Sequence, residues 1–173
     1  TAPDNRLPVK TFVYSFNENL INEAIQRESL RNGQIYYLCN DLRLIEDRKQ
    51  RLKSRFPGLT IEIVQGQLKS KEIEEKMISF HANEIDVLVC STIIESGIDV
   101  PNANTLIVEE ADRLGLAQLH QLRGRVGRGD NASTCILLFK SNLTENANKR
   151  ITILKDSNDA FKIYEEDMQI RGF

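Results

Sequence analysis

Residues 86–90, Asp-Val-Leu-Val-Cys, decide the fold of this chain. Their unbroken apolar run indicates a strand buried on both faces, and such strands belong to parallel sheets covered by helices. Before them, residues 70–80 carry apolar side chains at helical spacing, with Ser70 as the predicted N-cap. After them, residues 91–101 are rich in hydroxyls and include Gly97, which favours a loop at the carboxyl end of the strand.

The same alternation of strand and helix runs through most of the chain and predicts βαβ units in a mainly parallel sheet. We therefore predict an α/β lobe over residues 1–141 and a helical extension over residues 142–173, with helices at 143–157 and 159–168. The predicted strands are residues 10–14, 34–39, 60–64, 86–90, 105–108 and 135–139. The predicted helices of the lobe are residues 17–31 (stopped by Gly33), a helix capped by Asn40 or Asp41 that ends before Pro57, and residues 70–80.

Bulk properties limit the classes of protein. A chain of 173 residues is sufficient for one domain, and its net charge of -2 argues against gripping nucleic acid with the whole surface. No apolar run approaches the ~20 residues of a membrane span, and residues 1–6 lack a signal-peptide core. We expect a cytoplasmic protein without membrane contact. The first residue is not methionine and the chain ends abruptly at Phe173, so both ends are interpreted as cuts in a longer protein.

Cysteine and histidine give no sign of a metal site. Cys39, Cys90 and Cys135 are far apart, odd in number and set in apolar runs, which favours reduced thiols in the core. His81 is predicted at a helix end and His120 within a helix, and two histidines are too few to bind a metal alone.

Residues 118–128, Gln-Leu-His-Gln-Leu-Arg-Gly-Arg-Val-Gly-Arg, carry the strongest chemical signal. Arg125 and Arg128 form a fork suited to a polyphosphate, and Gly124 and Gly127 remove side chains beside them. A solvated basic helix end is the alternative, which we rank second because it has no need of the glycines. One predicted helical face is apolar, with Gln118, Gln121 and Arg125 lying elsewhere: Leu116, Leu119, Leu122 and Val126.

The loops after the strands are expected to meet at the carboxyl edge of the sheet. They are residues 65–67, residues 91–101 and the segment from Glu109 onward. Hydroxyls and backbone N–H groups after a strand can hold a phosphate, and Asp99 can accept from an arginine or a ribose hydroxyl. An ordinary capped strand-to-helix loop is the alternative for residues 91–101.

Glu109 and Glu110 end an apolar strand, which resembles a magnesium-binding Walker B segment. The sequence has no G-x-x-x-x-G-K-[ST], so nothing in it would cradle the β- and γ-phosphates. This absence excludes a self-contained P-loop enzyme. We interpret both glutamates as loop residues that hydrogen-bond within the domain.

Several motifs together resemble superfamily 2 helicases. Residues 121–128 resemble motif VI, residues 91–101 resemble motif V, and residues 37–40 resemble motif IV. The run at 111–120 narrows the resemblance to two families, the transcription-repair coupling factors and the RecG branch-migration helicases. Residues 6–13 and 36–41 are most similar to the coupling factors, residues 158–161 to RecG, and residues 161–172 to the start of the translocation motif that both share.

The resemblance implies a three-layer RecA-like fold and the second motor lobe of an ATP-driven double-stranded DNA translocase, which is a helicase-type ATP hydrolase. ATP with Mg²⁺ would be held mainly by a first RecA-like lobe outside this chain, so the chain alone is expected to be inactive. A coupling factor would push stalled RNA polymerase off a lesion and recruit excision-repair proteins. The alternatives are the equivalent RecG lobe and a non-catalytic α/β interaction module.

The resemblance also assigns roles residue by residue. Arg128 would be the primary arginine finger, Arg125 its companion on the phosphates, and Gln121 a sensor of the γ-phosphate. The remaining assignments are Gly97 and Asp99 to the nucleotide cleft, Thr92, Ser91 and Gln67 to DNA, and Arg171 to coupling lobe closure with DNA movement. Two positions depart from the pattern, since Gln65 replaces a usual histidine and Leu68 a usual methionine, the latter expected to be a tolerated packing change.

Overall fold

The computed structural model describes residues 9–91, 97–127, 129 and 131–140, together with Glu145, Lys149 and the backbone of residues 161–163. Seven parallel strands form one sheet in the spatial order β3-β4-β2-β5-β6-β1-β7. The strands are β1 (Val9–Ser15), β2 (Gln34–Leu38), β3 (Ile61–Val64), β4 (Val87–Cys90), β5 (Ala103–Val108), β6 (Ser133–Phe139) and β7 (Phe161–Ile163). The described helices are α1 (Glu18–Leu30), α2 (Ile45–Arg55), α3 (Ser70–His81), a 3-10 turn (Ala111–Arg113) and α4 (Leu116–Arg123). The predicted parallel α/β architecture is confirmed.

The sheet separates two hydrophobic cores, because successive side chains of a strand point to opposite faces. One core packs α1 and α2 against the sheet through residues such as Ile25, Leu52 and Tyr37. The other packs α3 and α4 against the opposite face through residues such as Phe80 and Leu122. All four residues of β4 are buried, as the apolar run of residues 86–90 predicts. The three cysteines are buried too, and none is in a disulfide.

An asparagine lies at each end of α1: Asn17 caps its beginning, and Asn32 follows its end. Asn17 is the N-cap, and its side chain accepts a hydrogen bond from the backbone N–H of Asn19 at 2.8 Å. Asn32, with φ of 62°, is the left-handed residue after the helix, a position that asparagine tolerates and that the sequence led us to expect of Gly33. Gly33 has a different role. A Cβ at Gly33 would lie 1.8 Å from Oε2 of Glu28, so its missing side chain makes room for that buried carboxylate.

Two predicted helix caps are wrong. The carboxylate of Asp41 accepts hydrogen bonds from the backbone N–H and the guanidinium of Arg43, so Asp41 forms a local turn and α2 begins only at Ile45. Short polar side chains of this kind compete with helix initiation. Ser70 is the first residue of α3 rather than its N-cap, which is Lys69 and makes no side-chain cap bond.

The C-terminal extension departs from the predicted pair of helices. Residues 161–163 form β7, which pairs in parallel with β1, whereas the sequence pattern predicts a helix at 159–168. The backbone groups on this side of β1 are available for pairing, and Phe-Lys-Ile alternates apolar and polar residues as a strand does. Glu145 and Lys149 are helical and form an ion pair at 3.6 Å, in agreement with the helix predicted there. The rest of residues 143–157 lies outside the described residues.

Candidate nucleotide cleft and DNA-facing edge

The motif VI helix is held to the sheet by its apolar face. Leu119, Leu122 and Val126 are buried in the α3–α4 core, and Leu116 packs partly buried against it. Gln121 and His120 are exposed on the other side. The predicted core-facing side is confirmed for Leu116, Leu119 and Leu122, whereas Val126 is buried beyond the end of α4 at Arg123; Gln121 is exposed.

Arg125 lies against the central strands and not at a fully solvated helix end. Its half-buried side chain lines a cavity of about 20 Å³ together with Tyr36, Leu38, Cys90 and Leu106. Burial raises the pKa of the Cys90 thiol to about 12, and the positive charge of Arg125 opposes that shift. This proximity places Arg125 in the α3–α4 layer over β2, β4 and β5.

Gly127 of motif VI and Gly129 just after it are required by packing within the chain itself. Gly127 has φ of 81°, and a Cβ there would lie 2.8 Å from Cγ2 of Val9. A Cβ at Gly129 would lie 2.7 Å from the carbonyl oxygen of Pro101. The space that we interpreted as room for a phosphate beside Gly127 is thus used by the chain's own atoms, so Gly127 no longer argues against the solvated alternative. The half-buried placement of Arg125 against the strands does argue against it.

The predicted loops divide between the two ends of the sheet. Residues 65–67, Ser91 and Glu109 follow β3, β4 and β5 at the carboxyl edge, in agreement with the prediction. The later parts of motifs V and VI reach the amino edge instead. Gly129 contacts Pro101 just before β5, and the backbone oxygen of Asp99 is 2.8 Å from Nδ1 of His81, the last residue of α3. The expected convergence of all these loops at one edge is wrong, because residues 97–101 and α4 run back along the sheet.

At the carboxyl edge, one hydrogen bond joins two of the predicted DNA-contacting segments. The backbone N–H of Gly66 donates to Oγ of Ser91 at 3.0 Å. Ser91 is 4% exposed, so its hydroxyl serves the adjacent loop rather than an external phosphate. Gln67 is exposed and donates to Oε1 of Gln65 at 3.0 Å, which gives the residue in the usual histidine position a defined partner. Leu68 packs partly buried against the core.

Glu109 is committed to the interior. Nε and Nη2 of Arg48 donate to its two carboxylate oxygens at 2.6 and 3.2 Å, and the Tyr37 hydroxyl donates to the same carboxylate. Desolvation and the charge of Glu109 raise the pKa of Tyr37 well above its usual value. Glu110, with φ of 49°, pairs with Lys140 at 3.0 Å and Arg113 at 3.6 Å. The prediction that both glutamates bond within the domain is confirmed, while Arg48 was not found from the sequence because nothing in its helical pattern marks it.

Three assigned residues lie outside the described residues: Thr92, Arg128 and Arg171. Gly97 and Asp99 are exposed, and an added Cβ at Gly97 would meet nothing within 4 Å. Among the described residues, no group of three or more His, Cys, Asp or Glu side chains is placed to hold a metal ion. In that same part of the chain, no helix has the length and apolar character that crossing a bilayer requires.

These features define the class: a RecA-like lobe in which a core-packed helix, followed by the half-buried Arg125, lies on one face of a parallel sheet. The chain belongs to the helicase conserved C-terminal domain family, whose profile matches residues 16–130. It is 46% identical over 177 residues to the transcription-repair-coupling factors of Staphylococcus haemolyticus (strain JCSC1435) and Staphylococcus aureus (strain USA300). Each alignment covers 99% of this chain and 15% of the relative, so the chain spans a small part of those proteins.

Solved structures agree with this assignment. RecG bound to a three-way DNA junction matches with a TM-score of 0.80 and 34% identity, covering 96% of this chain and 23% of that chain. The C-terminal domain of Saccharomyces cerevisiae Dbp5, bound to Gle1, matches with a TM-score of 0.65 over 95% of this chain and 97% of its own. At 14% identity, the second likeness shows the fold alone.

Proposed function

We propose that this lobe is the second motor lobe of an ATP-dependent double-stranded DNA translocase, and that its arginines complete a nucleotide site whose phosphate cradle lies in another lobe. The observation that carries the proposal is that the Glu109 carboxylate is fully engaged by partners inside the domain. The acid that ends β5 in a Walker-like position is bonded to Arg48 and Tyr37, and the sequence has no Walker A motif. The motif VI arginines therefore have no nucleotide site of their own to serve.

Arg128 is the primary arginine finger in this proposal, with Arg125 as its companion and Gln121 sensing the γ-phosphate. Gly97 and Asp99 line the cleft. Bound ATP with Mg²⁺ supplies a γ-phosphoryl group on which negative charge is redistributed during transfer, and guanidinium groups stabilise that charge. The residues described here fit the arginine side of such a site and not its metal side, because Glu109 is already paired with Arg48, and Glu110 with Lys140 and Arg113. Hydrolysis then depends on closure of the two lobes.

DNA contacts are proposed for the carboxyl edge of the sheet, where the loops after β3 and β4 lie. Gln67 is exposed on the loop that Ser91 holds, and Thr92 follows Ser91 in sequence. We assign Gln67 and Thr92 to backbone phosphates and Ser91 to the support of that loop. Arg171 would couple lobe closure to movement along DNA.

Of the two related families, the coupling factors are favoured by sequence identity, because this chain is 46% identical to a coupling factor and 34% identical to RecG. The proposed partners of the whole protein are therefore double-stranded DNA, the first RecA-like lobe, stalled RNA polymerase and excision-repair proteins, in the cytoplasm. The RecG alternative predicts remodelling of three-way DNA junctions instead. Purified full-length protein given a stalled polymerase and, separately, a three-way junction distinguishes them by which substrate it displaces or unwinds. A non-catalytic module would leave both unchanged.

Arg128→Ala in the full-length protein tests the finger assignment. DNA-stimulated ATP hydrolysis should fall by about 10³-fold or more, as for other arginine fingers, while binding of a non-hydrolysable ATP analogue is largely retained. Arg113→Ala, which removes an exposed guanidinium paired only loosely with Glu110, is the matched control and should hydrolyse normally. Normal turnover by Arg128→Ala would remove the finger assignment.

A further inference from the structure

The segment that follows motif VI is clamped from the opposite side of the sheet. Nη2 of Arg31, just past the end of α1, donates to the backbone oxygen of Ala132 at 2.6 Å. Ala132 immediately precedes β6 and lies four residues after Arg128. α1 packs in the other core from α4, so this contact crosses the amino edge of the sheet. Arg31 is distant from motif VI in sequence, so the motif alone does not predict this contact.

The clamp is preorganised by a buried carboxylate. Nε and Nη2 of Arg31 donate to Glu28 at 2.6 and 2.8 Å, and the hydroxyl of Thr105 in β5 donates to the same carboxylate. The Glu28 side chain is 0% exposed and that of Arg31 is 37% exposed. Gly33 leaves the space that Glu28 occupies, because a Cβ there would collide with it. Glu28 thus fixes the direction of the Arg31 guanidinium, and a bidentate pair gives more geometric definition than a single contact.

Neighbouring contacts fix the same stretch at three more points. Ser133, which is buried, donates to Oδ1 of Asn104 at 3.1 Å. Gly129 packs against the carbonyl of Pro101 within van der Waals reach, and Gly127 against Val9. Residue 128 therefore lies in sequence between two closely packed glycines, with the Arg31 clamp just beyond. A guanidinium that must meet a phosphate in a closing cleft needs a backbone held in advance, since small displacements lower catalysis strongly.

We propose that Arg31, oriented by Glu28, is a positioning residue for ATP hydrolysis that fixes the backbone at Ala132, four residues after Arg128 in sequence. The proposal rests on the finger role of Arg128. Arg31 touches neither nucleotide nor DNA in this account and acts only through the backbone at Ala132.

The test is steady-state kinetics of DNA-stimulated ATP hydrolysis in the full-length protein. Arg31→Lys keeps a charge for Glu28 and loses the planar fork, so kcat should fall about tenfold, while the KM for ATP stays within about twofold because ground-state binding is spared. Gly33→Ala, which displaces Glu28, should give the same signature. Arg27→Lys, in an exposed pair with Glu23 on the same helix, is the matched control and should match the parent protein.

A double-mutant comparison separates positioning from general support. In an Arg128→Ala background, Arg31→Lys should cause no further loss of the residual rate, since both act through one contact. If the rate losses of Arg31→Lys and Arg128→Ala multiply in the double variant, the proposal is overturned. It is also overturned if the fall in kcat only follows the folded fraction measured by circular dichroism at the assay temperature. If Arg128→Ala abolishes hydrolysis while Arg31→Lys and Gly33→Ala leave kcat unchanged, the positioning role is wrong and the proposed function stands. Full activity of Arg128→Ala would instead overturn both.

Discussion

Arg48 in α2 donates from Nε to Oε2 of Glu109, at the end of β5, over 2.6 Å, with both side chains almost fully buried. The pair ties the α1–α2 layer to the carboxyl edge of the sheet. It also neutralises Glu109, one of the two acids whose position resembles that of a magnesium ligand. Phe16 covers the Arg48 guanidinium with its ring centroid 4.9 Å from Cζ, which further excludes water from the pair.

Breaking this pair from one side should be costly. Arg48→Met leaves the Glu109 carboxylate buried with Tyr37 as its remaining partner, so the free energy of unfolding should fall by about 3–5 kcal/mol. The double variant Arg48→Met with Glu109→Gln should lose clearly less, because no charge is left unpaired. Urea unfolding of the chain measures both. Equal losses in the single and double variants would mean that the ion pair is not what stabilises this region.

Gly127 should resist substitution because of its backbone conformation. Gly127→Ala places a Cβ at positive φ and against Val9, and we expect a loss of about 1–3 kcal/mol in the free energy of unfolding. Gly58→Ala is the matched control, since an added Cβ at Gly58 meets nothing within 4 Å. Equal denaturation midpoints for Gly127→Ala and Gly58→Ala would contradict the described packing of motif VI.

Ser91 should act on DNA binding through its loop. Ser91→Ala removes the acceptor for the Gly66 N–H, with a stability loss of about 1 kcal/mol. In the full-length protein, affinity for duplex DNA should fall while the slope of log affinity against log salt stays unchanged, because no phosphate charge is neutralised by this hydroxyl. Fluorescence anisotropy titrations at several salt concentrations decide the matter. Undiminished affinity in Ser91→Ala would sink the support role.

The buried thiols predict alkaline destabilisation. Burial raises the pKa of Cys39 to about 11 and the pKa values of Cys90 and Cys135 to about 12. In the unfolded chain a thiol titrates near a pKa of about 8.5, so above that pH the folded state holds more protons and the free energy of unfolding falls as pH rises, by up to about 1.4 kcal/mol per pH unit for each thiol. Urea unfolding between pH 8 and 10 should show this decline, with a shallower slope in Cys90→Ala. A slope unaffected by removing the thiol would contradict the assignment.

The sequence was sufficient for the parts of the fold that depend on local pattern. The buried run before Ser91 and the leucine spacing of α4 specified the parallel sheet and the core-facing side of motif VI, because burial leaves a periodic trace. β7 could not be predicted in the same way. A three-residue strand is stabilised by an available partner, here β1, and its own sequence says little about that partner.

The candidate site was harder to predict because its geometry depends on contacts distant in sequence. The chemistry of motifs V and VI predicted roles for Asp99 and Arg125, but not that Asp99 lies beside the end of α3 at the amino edge, which follows from the path of the chain. Arg31 and Arg48 look like ordinary charged residues of helical segments. Their roles depend on Ala132 and Glu109, which are 101 and 61 residues away.

The central claim is that these arginines complete a site built elsewhere, and MgATP turnover by the 173-residue chain alone tests it most directly. Phosphate release should be measured with duplex DNA present, beside the full-length protein and its Arg128→Ala variant. The account predicts no release above the buffer blank from the chain alone, robust release from the full-length protein, and release lowered by about 10³-fold or more in the variant. DNA-stimulated hydrolysis by the isolated chain, abolished by Arg128→Ala within it, would show that the chain builds a complete site and would contradict the claim.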